Sequence, residues 1–390
     1  MQAIIDYIIQ FLLYGNPEGA KRVVYSADPS QWANYRVAIV PNGHLGNKIV
    51  LPTEEDLELR VEKQGETFVV HTDLVYNTFF YTSRAEELLV SERDAHGRFL
   101  AKYSMLGQKN RLMIPLIDEY ARAMMKMLDL PLPEPGYSHI YLTHDVDTIA
   151  NYRHLRGALG GIKRGKIGSV LAALRDIHND PAYTFSWLIN QDKKVEQAEC
   201  IYFVKNTPGH GYDYPQYDLT SGDYRRVEEL ILNSEASIGW HSSYYGATPL
   251  PHRLIALSPD SLKMHRSHFL RCSIDQMQEL VEMGVKDDFT MMFADHAGFR
   301  LQTTRAVRWI NPKTWQLTCL TLHPLTVMDC TLSNRHYMNL TEDEAYFHCQ
   351  RLFEKIHQNA GEVVLLWHNS IVDGESYHKS LYPKVLEELV

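Results

Sequence analysis

Ile140-Tyr141-Leu142-Thr143-His144-Asp145-Val146-Asp147 is an apolar, β-branched run that stops in a histidine and two carboxylates. The pattern predicts a buried parallel strand delivering charge to its carboxyl end, where ligands sit in α/β folds. Three later runs finish alike: Ser237-Ile238-Gly239-Trp240-His241, Met264-His265-Arg266-Ser267-His268 and Val363-Val364-Leu365-Leu366-Trp367-His368-Asn369. A lone histidine is more often a satisfied core or surface residue than a ligand. Four such strand ends in order along one region predict a common pocket. His210, His252, His265, His323 and His378 lack that context and are read as structural.

Working outward, the chain after residue 136 alternates strand and helix patterns as a parallel sheet or barrel does. Strands are expected at 139–145, 200–205, 237–242, 264–269, 289–294, 317–323 and 362–368, which predicts a barrel of about seven strands. Helices are expected at Ile167–His178, Thr184–Gln197, Tyr224–Asn233, Ile274–Met283 and Glu342–Gln358, the last opened by Thr341-x-x-Glu344. The glycine- and lysine-rich stretch Gly157–Gly168 reads as a mobile loop. Leu130-Pro131-Leu132-Pro133-Glu134-Pro135-Gly136 is a stiff linker, so the expected domains are 1–136 and 137–390. The first shows an amphipathic helix over 3–14, short strands at 23–25, 36–40, 48–51 and 68–71, and helices over 73–90 and 114–130. Its charge run, Arg84, Glu86, Glu87, Arg93, Asp94 and Arg98, reads as a solvated or internally paired face.

Composition narrows the class of function. At 390 residues, 45% hydrophobic and 22% charged, the chain can bury a full core, and a net charge of -9 argues against a nucleic-acid partner held through phosphates. Cys200, Cys272, Cys319, Cys330 and Cys349 are odd in number and form no CxxC pair. Free thiols in a reducing, cytoplasmic setting are the expectation. The apolar N-terminus holds Asp6 and no basic flank, so it reads as a helix rather than a signal peptide or membrane span.

One carboxylate and two imidazoles suit a divalent ion such as zinc, and Asp147, His241 and His268 can supply that set. Asp145 lies two residues from Asp147, hence on the same side of a strand, where it can accept the proton of an attacking water. Arg266 can hold Asp145 ionised, and His368 can protonate a leaving group.

This order of motifs resembles the NodB-homology polysaccharide deacetylases, carbohydrate esterase family four, over residues 137–390. Thr143-His144-Asp145-Val146-Asp147 stands where that family has its first motif, which implies Asp145 as base and Asp147 as metal ligand. Gly239-Trp240-His241-Ser242-Ser243-Tyr244-Tyr245 is similar to the second motif but has Tyr245 where a second histidine belongs. Arg266-Ser267-His268-Phe269-Leu270-Arg271 resembles the third motif of a subgroup in which His268 would replace that ligand and Arg266 would brace the base. Leu366-Trp367-His368-Asn369-Ser370 is similar to the last motif and implies His368 as acid. Ala294-Asp295-His296-Ala297-Gly298-Phe299-Arg300 and Pro324-Leu325-Thr326-Val327-Met328-Asp329 also resemble that subgroup, which implies Arg300 contacting substrate and Asp329 orienting His368. Residues around Phe79–Glu87 and Asp94–Phe99 resemble that subgroup's preceding accessory domain. The resemblance implies a distorted (β/α) barrel after an α/β accessory domain, and zinc-assisted removal of an acetyl group from a carbohydrate, on nitrogen or oxygen. It also implies that Trp187, Trp240, Tyr244, Tyr245 and Trp367, near strand ends, can stack on a sugar ring, with core packing at least as good a reading for Trp187 and Trp367. Two other readings stay open: a metal-dependent hydrolase of a non-sugar amide or imide, and a catalytically silent carbohydrate-binding protein.

Overall fold

The computed structural model describes residues 1–206, 211–215, 217–246, 263–374 and 376–390, so His210 and His252 lie outside the described residues. Two sheets organise them. β1 (Val23–Tyr25), β2 (Val37–Ile39), β3 (Val61–Gln64) and β4 (Thr67–Val70) form the smaller, in the order β1-β2-β4-β3, with only β3 antiparallel. The strand expected at 48–51 does not form, because the Tyr76 hydroxyl takes both backbone groups of Val50 at 2.6 Å. β3 carries no apolar alternation to read, since all four of its residues are exposed.

The larger sheet comprises β5 (His139–Val146), β6 (Glu199–Lys205), β7 (Ser237–Ser242), β8 (Met264–Ser267), β9 (Asp287–Asp288), β10 (Val307–Asn311), β11 (Gln316–Leu322), β12 (Val327–Met328) and β13 (Glu362–Leu366). Its order is β10-β11-β9-β8-β7-β6-β5-β13-β12, parallel throughout except for the β10–β11 hairpin. The fold is thus α/β with a nine-stranded sheet curled into a half-barrel, so that His323 after β11 reaches Glu362 of β13, where a barrel of about seven strands was expected. The difference lies in short pieces. The run 289–294 is buried but irregular: strand pairing stops at Asp288, whose carboxylate takes the backbone and hydroxyl of Thr290. β10 and the two-residue β12 form sheet edges that apolar periodicity did not mark.

Residue alternation sends Ile201 and Phe203 of β6 to one face of this sheet and Tyr202 and Val204 to the other, giving a core on each side. A third core joins Ile8, Leu12, Phe79, Phe80 and Tyr120 of the early chain to Phe293 and Ile310 of the late chain. The helix Glu342–Gln358 has its capping box, with the Thr341 and Glu344 side chains each bonding the other's backbone. The stretch expected to be a mobile loop is helical: Leu155–Lys163 and Ile167–Arg175 are helices that turn at Gly165, whose φ is +77°. Three glycines in the first of these weakened the helix signal, but His154 caps its N-terminus by accepting from the Gly157 N–H. All five cysteines are free thiols, and no helix among the described residues is long and apolar enough to cross a membrane.

Candidate active site

Parallel register places the polar strand ends side by side. Asp145 of β5 lies opposite Phe203 of β6, Lys205 of β6 opposite His241 of β7, and His241 opposite Arg266 of β8. Each strand therefore releases its chemistry at the same end of the sheet. There, the Asp147 carboxylate stands 3.2 Å from His268 Nε2, 3.5 Å from His241 Nε2 and 3.8 Å from His368 Nε2. Asp145 lies 3.5 Å from Arg266 Nη1 and 3.7 Å from His241 Nε2. Asp145, Asp147, His268 and His368 line a cavity of about 220 Å³ together with Arg98, Phe269 and Tyr337.

Hydrogen bonds fix which nitrogen of each imidazole faces inward. The His241 Nδ1 meets the Arg266 carbonyl at 3.0 Å; a carbonyl only accepts, so Nδ1 holds the proton and Nε2 keeps a lone pair toward Asp147. His268 Nδ1 likewise meets Asp213 Oδ1 at 2.9 Å. Asp213 is pushed up by burial but held at about 2 by bonds from His268, Ser243 and the Tyr244 N–H, so it accepts from His268 Nδ1. Burial opposes a charge on His268, yet Asp147 and Asp213 on either side raise its pKa and favour a ring protonated on both nitrogens, with Nε2 facing Asp147. For Asp147, burial is outweighed by the nearby His268 and Lys205, which hold its carboxyl well below the usual range. Burial lowers His241, so it favours the neutral ring.

The donor set fits a divalent cation on three counts. Ligand atoms of Asp147, His241 and His268 all lie within 4.8 Å of one another. Asp147 Oδ1 and His241 Nε2 are buried without a hydrogen-bond partner, a state that costs about 1–3 kcal/mol each unless something occupies the space between them. The outer nitrogens carry the protons, as they do on metal-binding histidines. Against this, Lys205 Nζ sits 3.7 Å from Asp147 Oδ1 and adds positive charge at the same oxygen. A second such group, Asp329, Cys330 and His368, is already bonded internally: His368 Nδ1 lies 2.8 Å from Asp329 Oδ1, and its backbone N–H donates to Oδ2 at 2.6 Å. Burial opposes a charge on His368, yet Asp329 raises its pKa well above the ordinary imidazole value.

Other expected site residues lie elsewhere. Trp240 is fully buried against His265 at 4.9 Å, because strand alternation turns it away from His241, so it is a core residue rather than a sugar platform. Arg300 does not reach the cavity: its guanidinium is held by the Met292 carbonyl at 2.9 Å and Glu87 at 2.6 Å. Tyr244 sits in an aromatic cluster with His96, Tyr212 and the cavity-lining Phe269, while Tyr245 is 53% exposed and outside the ligand cluster. Trp367 is buried, and Trp187 packs beside Tyr382. Of the histidines read as structural, His265 bonds Asp288 and Ser242, His323 bonds Glu362 and Asp287, and His378 bonds Ser333.

Sequence reasoning missed Asp213, Lys205 and Arg98. Asp213 ends the short turn Gly211–Asp213, which has no periodic signal, and Lys205 closes a strand that is apolar from Cys200 to Val204. Arg98 belongs to the charge run of the first region; its partner Asp94 is 2.7 Å away, but it also bonds the Phe269 carbonyl and the Tyr337 hydroxyl at the cavity wall. His144, between the strand core and Asp145, bonds the Trp367 carbonyl and the buried Asp192 and ties β5 to its surroundings.

A family model described only as a family of unknown function, DUF7033, matches residues 10–133. No curated protein matches the chain. Among solved structures, one from Mycobacterium smegmatis described as a "putative polysaccharide deacetylase" is 14% identical, covers 66% of this chain and 88% of its own, and has a TM-score of 0.41. Another, from Bordetella bronchiseptica, described as a "putative polysaccharide deacetylase involved in o-antigen biosynthesis", is 15% identical, covers 65% of this chain and 84% of its own, and has a TM-score of 0.32. Similarity at that level assigns no activity to this chain.

Proposed function

We propose that the protein is a metal-dependent hydrolase that removes an acetyl group from a carbohydrate. The observation that carries this reading is the meeting, at one sheet end, of an Asp-His-His cluster whose imidazole Nε2 atoms face the carboxylate, a second carboxylate beside an arginine, and an imidazole backed by a carboxylate. The same residues carry the motif order that resembles the deacetylases. Asp147, His241 and His268 would hold the ion, zinc being the natural choice for this donor set. When bound, a cation there supplies Lewis-acid polarisation of a carbonyl and makes water easier to deprotonate.

The chain's own residues do the rest. Asp145 takes the proton of the attacking water, and Arg266, 3.5 Å away, holds it in position; the arginine is itself braced by Thr143 Oγ1 at 2.8 Å and by the Phe203 ring at 4.8 Å. His368, kept protonated by Asp329, donates to the departing amine or alcohol. Arg98, Phe269 and Tyr337 would contact the sugar. In this reading residues 137–390 form the catalytic domain, and residues 1–136 are an accessory domain that lends Arg98 to the cavity wall. Five free thiols support a cytoplasmic setting.

The test is an assay of the zinc-loaded protein on N- and O-acetylated sugars and cyclic amides, with metal content measured in parallel. Asp145→Asn is expected to lower turnover by roughly 10²–10⁴-fold while bound metal is unchanged. A near-normal rate in that variant removes Asp145 from its role. Turnover of cyclic amides alone changes the substrate class, and failure to bind metal leaves the catalytically silent reading.

A further inference from the structure

The helices Leu155–Lys163 and Ile167–Arg175 each carry two apolar stripes. The inner stripe is small: Ala158, Gly161, Val170 and Ala173 pack on one another and on Tyr152. The outer stripe is large and uncovered. Leu155, Leu159 and Ile162 on the first helix, and Ile167, Leu171 and Leu174 on the second, are 45–78% exposed. On both helices the spacing is i, i+4, i+7, one continuous face. These six are among the seventeen large apolar side chains exposed in the described residues, so about a third of them fall within twenty positions. Soluble surfaces rarely gather apolar side chains in this way without a partner.

Charge identifies the partner. From His154 to Arg175 there is no Asp or Glu, while Arg156, Lys163, Arg164, Lys166 and Arg175 are all basic, in a chain whose net charge is -9. A face of leucines and isoleucines flanked by lysines and arginines is the composition of helices that lie in the plane of a membrane surface. Each helix has nine residues, about 14 Å, too short to span a hydrocarbon core of about 30 Å. We propose that this helical hairpin docks the protein on an anionic phospholipid surface, with the six apolar side chains entering the headgroup region and the basic residues facing lipid phosphates.

The position of the hairpin gives this docking a consequence. The chain leaves β5 at Val146, passes Asp147 and enters the first helix eight residues later. His154, at the helix start, is tied by the Tyr214 hydroxyl at 2.7 Å to the turn that carries Asp213, the partner of His268. Docking therefore places the polar end of the large sheet beside the bilayer. If the deacetylase reading holds, the substrate is a glycan carried on a lipid; the docking itself does not depend on that reading.

The test is co-sedimentation of the full-length protein with phosphatidylcholine vesicles, with and without phosphatidylglycerol. Binding is expected only with the anionic lipid, and to weaken in high salt. Leu159→Glu with Leu171→Glu, and separately Lys163→Glu with Arg164→Glu, should each weaken it by at least about tenfold. All four positions are exposed and outside the proposed catalytic machinery, so hydrolysis of a soluble substrate should not change. Leu171→Trp provides a readout that needs no disruptive change: its fluorescence should shift to the blue on adding anionic vesicles. No binding to anionic vesicles, binding unaffected by both double variants, or an unshifted tryptophan overturns the proposal. So does a dimer in solution that Leu171→Glu dissociates while vesicles remain unbound, which would assign the face to a second copy.

Discussion

At the residue scale, two ring protons decide what the cluster can bind. His241 and His268 turn Nε2 toward Asp147 because the Arg266 carbonyl and the Asp213 carboxylate each accept from the outer nitrogen. Removing one acceptor should let that ring turn or change tautomer. Asp213→Ala is therefore expected to weaken zinc binding by about 10–100-fold, read by competition with a zinc-sensitive dye. An unchanged affinity would show that Asp213 does not set the ring. The same economy explains Arg266, a fully buried cation whose neighbours are Asp145, Thr143 and the face of Phe203. Burying an arginine among so few partners is costly, and what offsets that cost is its place beside the Asp145 carboxylate.

At the scale of elements, close strand packing and the contacts at the opposite end of the sheet hold the strand ends in line. Gly239 of β7 faces β6 so closely that a Cβ there would lie 2.5 Å from the Phe203 ring and 3.2 Å from Ile201. Gly239→Val is expected to cost about 1–3 kcal/mol in denaturant unfolding, since Phe203 is fully buried and also supports Arg266. A loss below about 0.5 kcal/mol would mean that β6 yields easily. At the end of β11, His323 reaches Glu362 of β13 at 3.0 Å and Asp287 of β9 at 3.2 Å. Burial opposes its charge, but those carboxylates raise its pKa from 6.5 to about 9. A raised folded pKa stabilises the protein fully below about pH 6.5 and loses that contribution as pH climbs through 9. The stability advantage of the wild type over His323→Gln should thus be largest near pH 6 and shrink by about 3 kcal/mol or less toward pH 9.5. A constant advantage across that range would sink the assignment.

At the scale of the whole molecule, the early and late chain are joined by buried charge as well as by apolar packing. Glu87, with its side chain 7% exposed, bonds Arg84 at 2.7 Å and Arg300 at 2.6 Å, and Arg84 reaches on to the Cys272 carbonyl at 2.6 Å. Glu87→Ala would strand two buried guanidiniums and is expected to destabilise the protein by about 3–5 kcal/mol. Equilibrium unfolding followed by tryptophan fluorescence measures it; an effect under about 1 kcal/mol would show the joint to be solvated. The charge run containing Glu87 reads in the sequence as a solvated or internally paired face, and it is paired and largely buried rather than solvated. That one of its members would take Arg300 away from the cavity, and another, Arg98, would enter it, was not legible there.

Local pattern was enough to read the buried parallel strands, the capped helix after Thr341, and the polar strand ends at Asp145, Asp147, His241, Arg266, His268 and His368, because a strand's period and its abrupt change of polarity are properties of neighbouring residues. Short or exposed pieces escaped it: β3 has no apolar side to its pattern, β9 and β12 are two residues long, and the glycine-rich helix was masked by its own composition. Only tertiary structure decided which rings face inward, that Trp240 turns away, that Arg300 belongs to Glu87, and that Asp213 stands behind His268. Those outcomes depend on groups tens to hundreds of positions apart competing for the same hydrogen bonds, and no window along the chain contains both competitors.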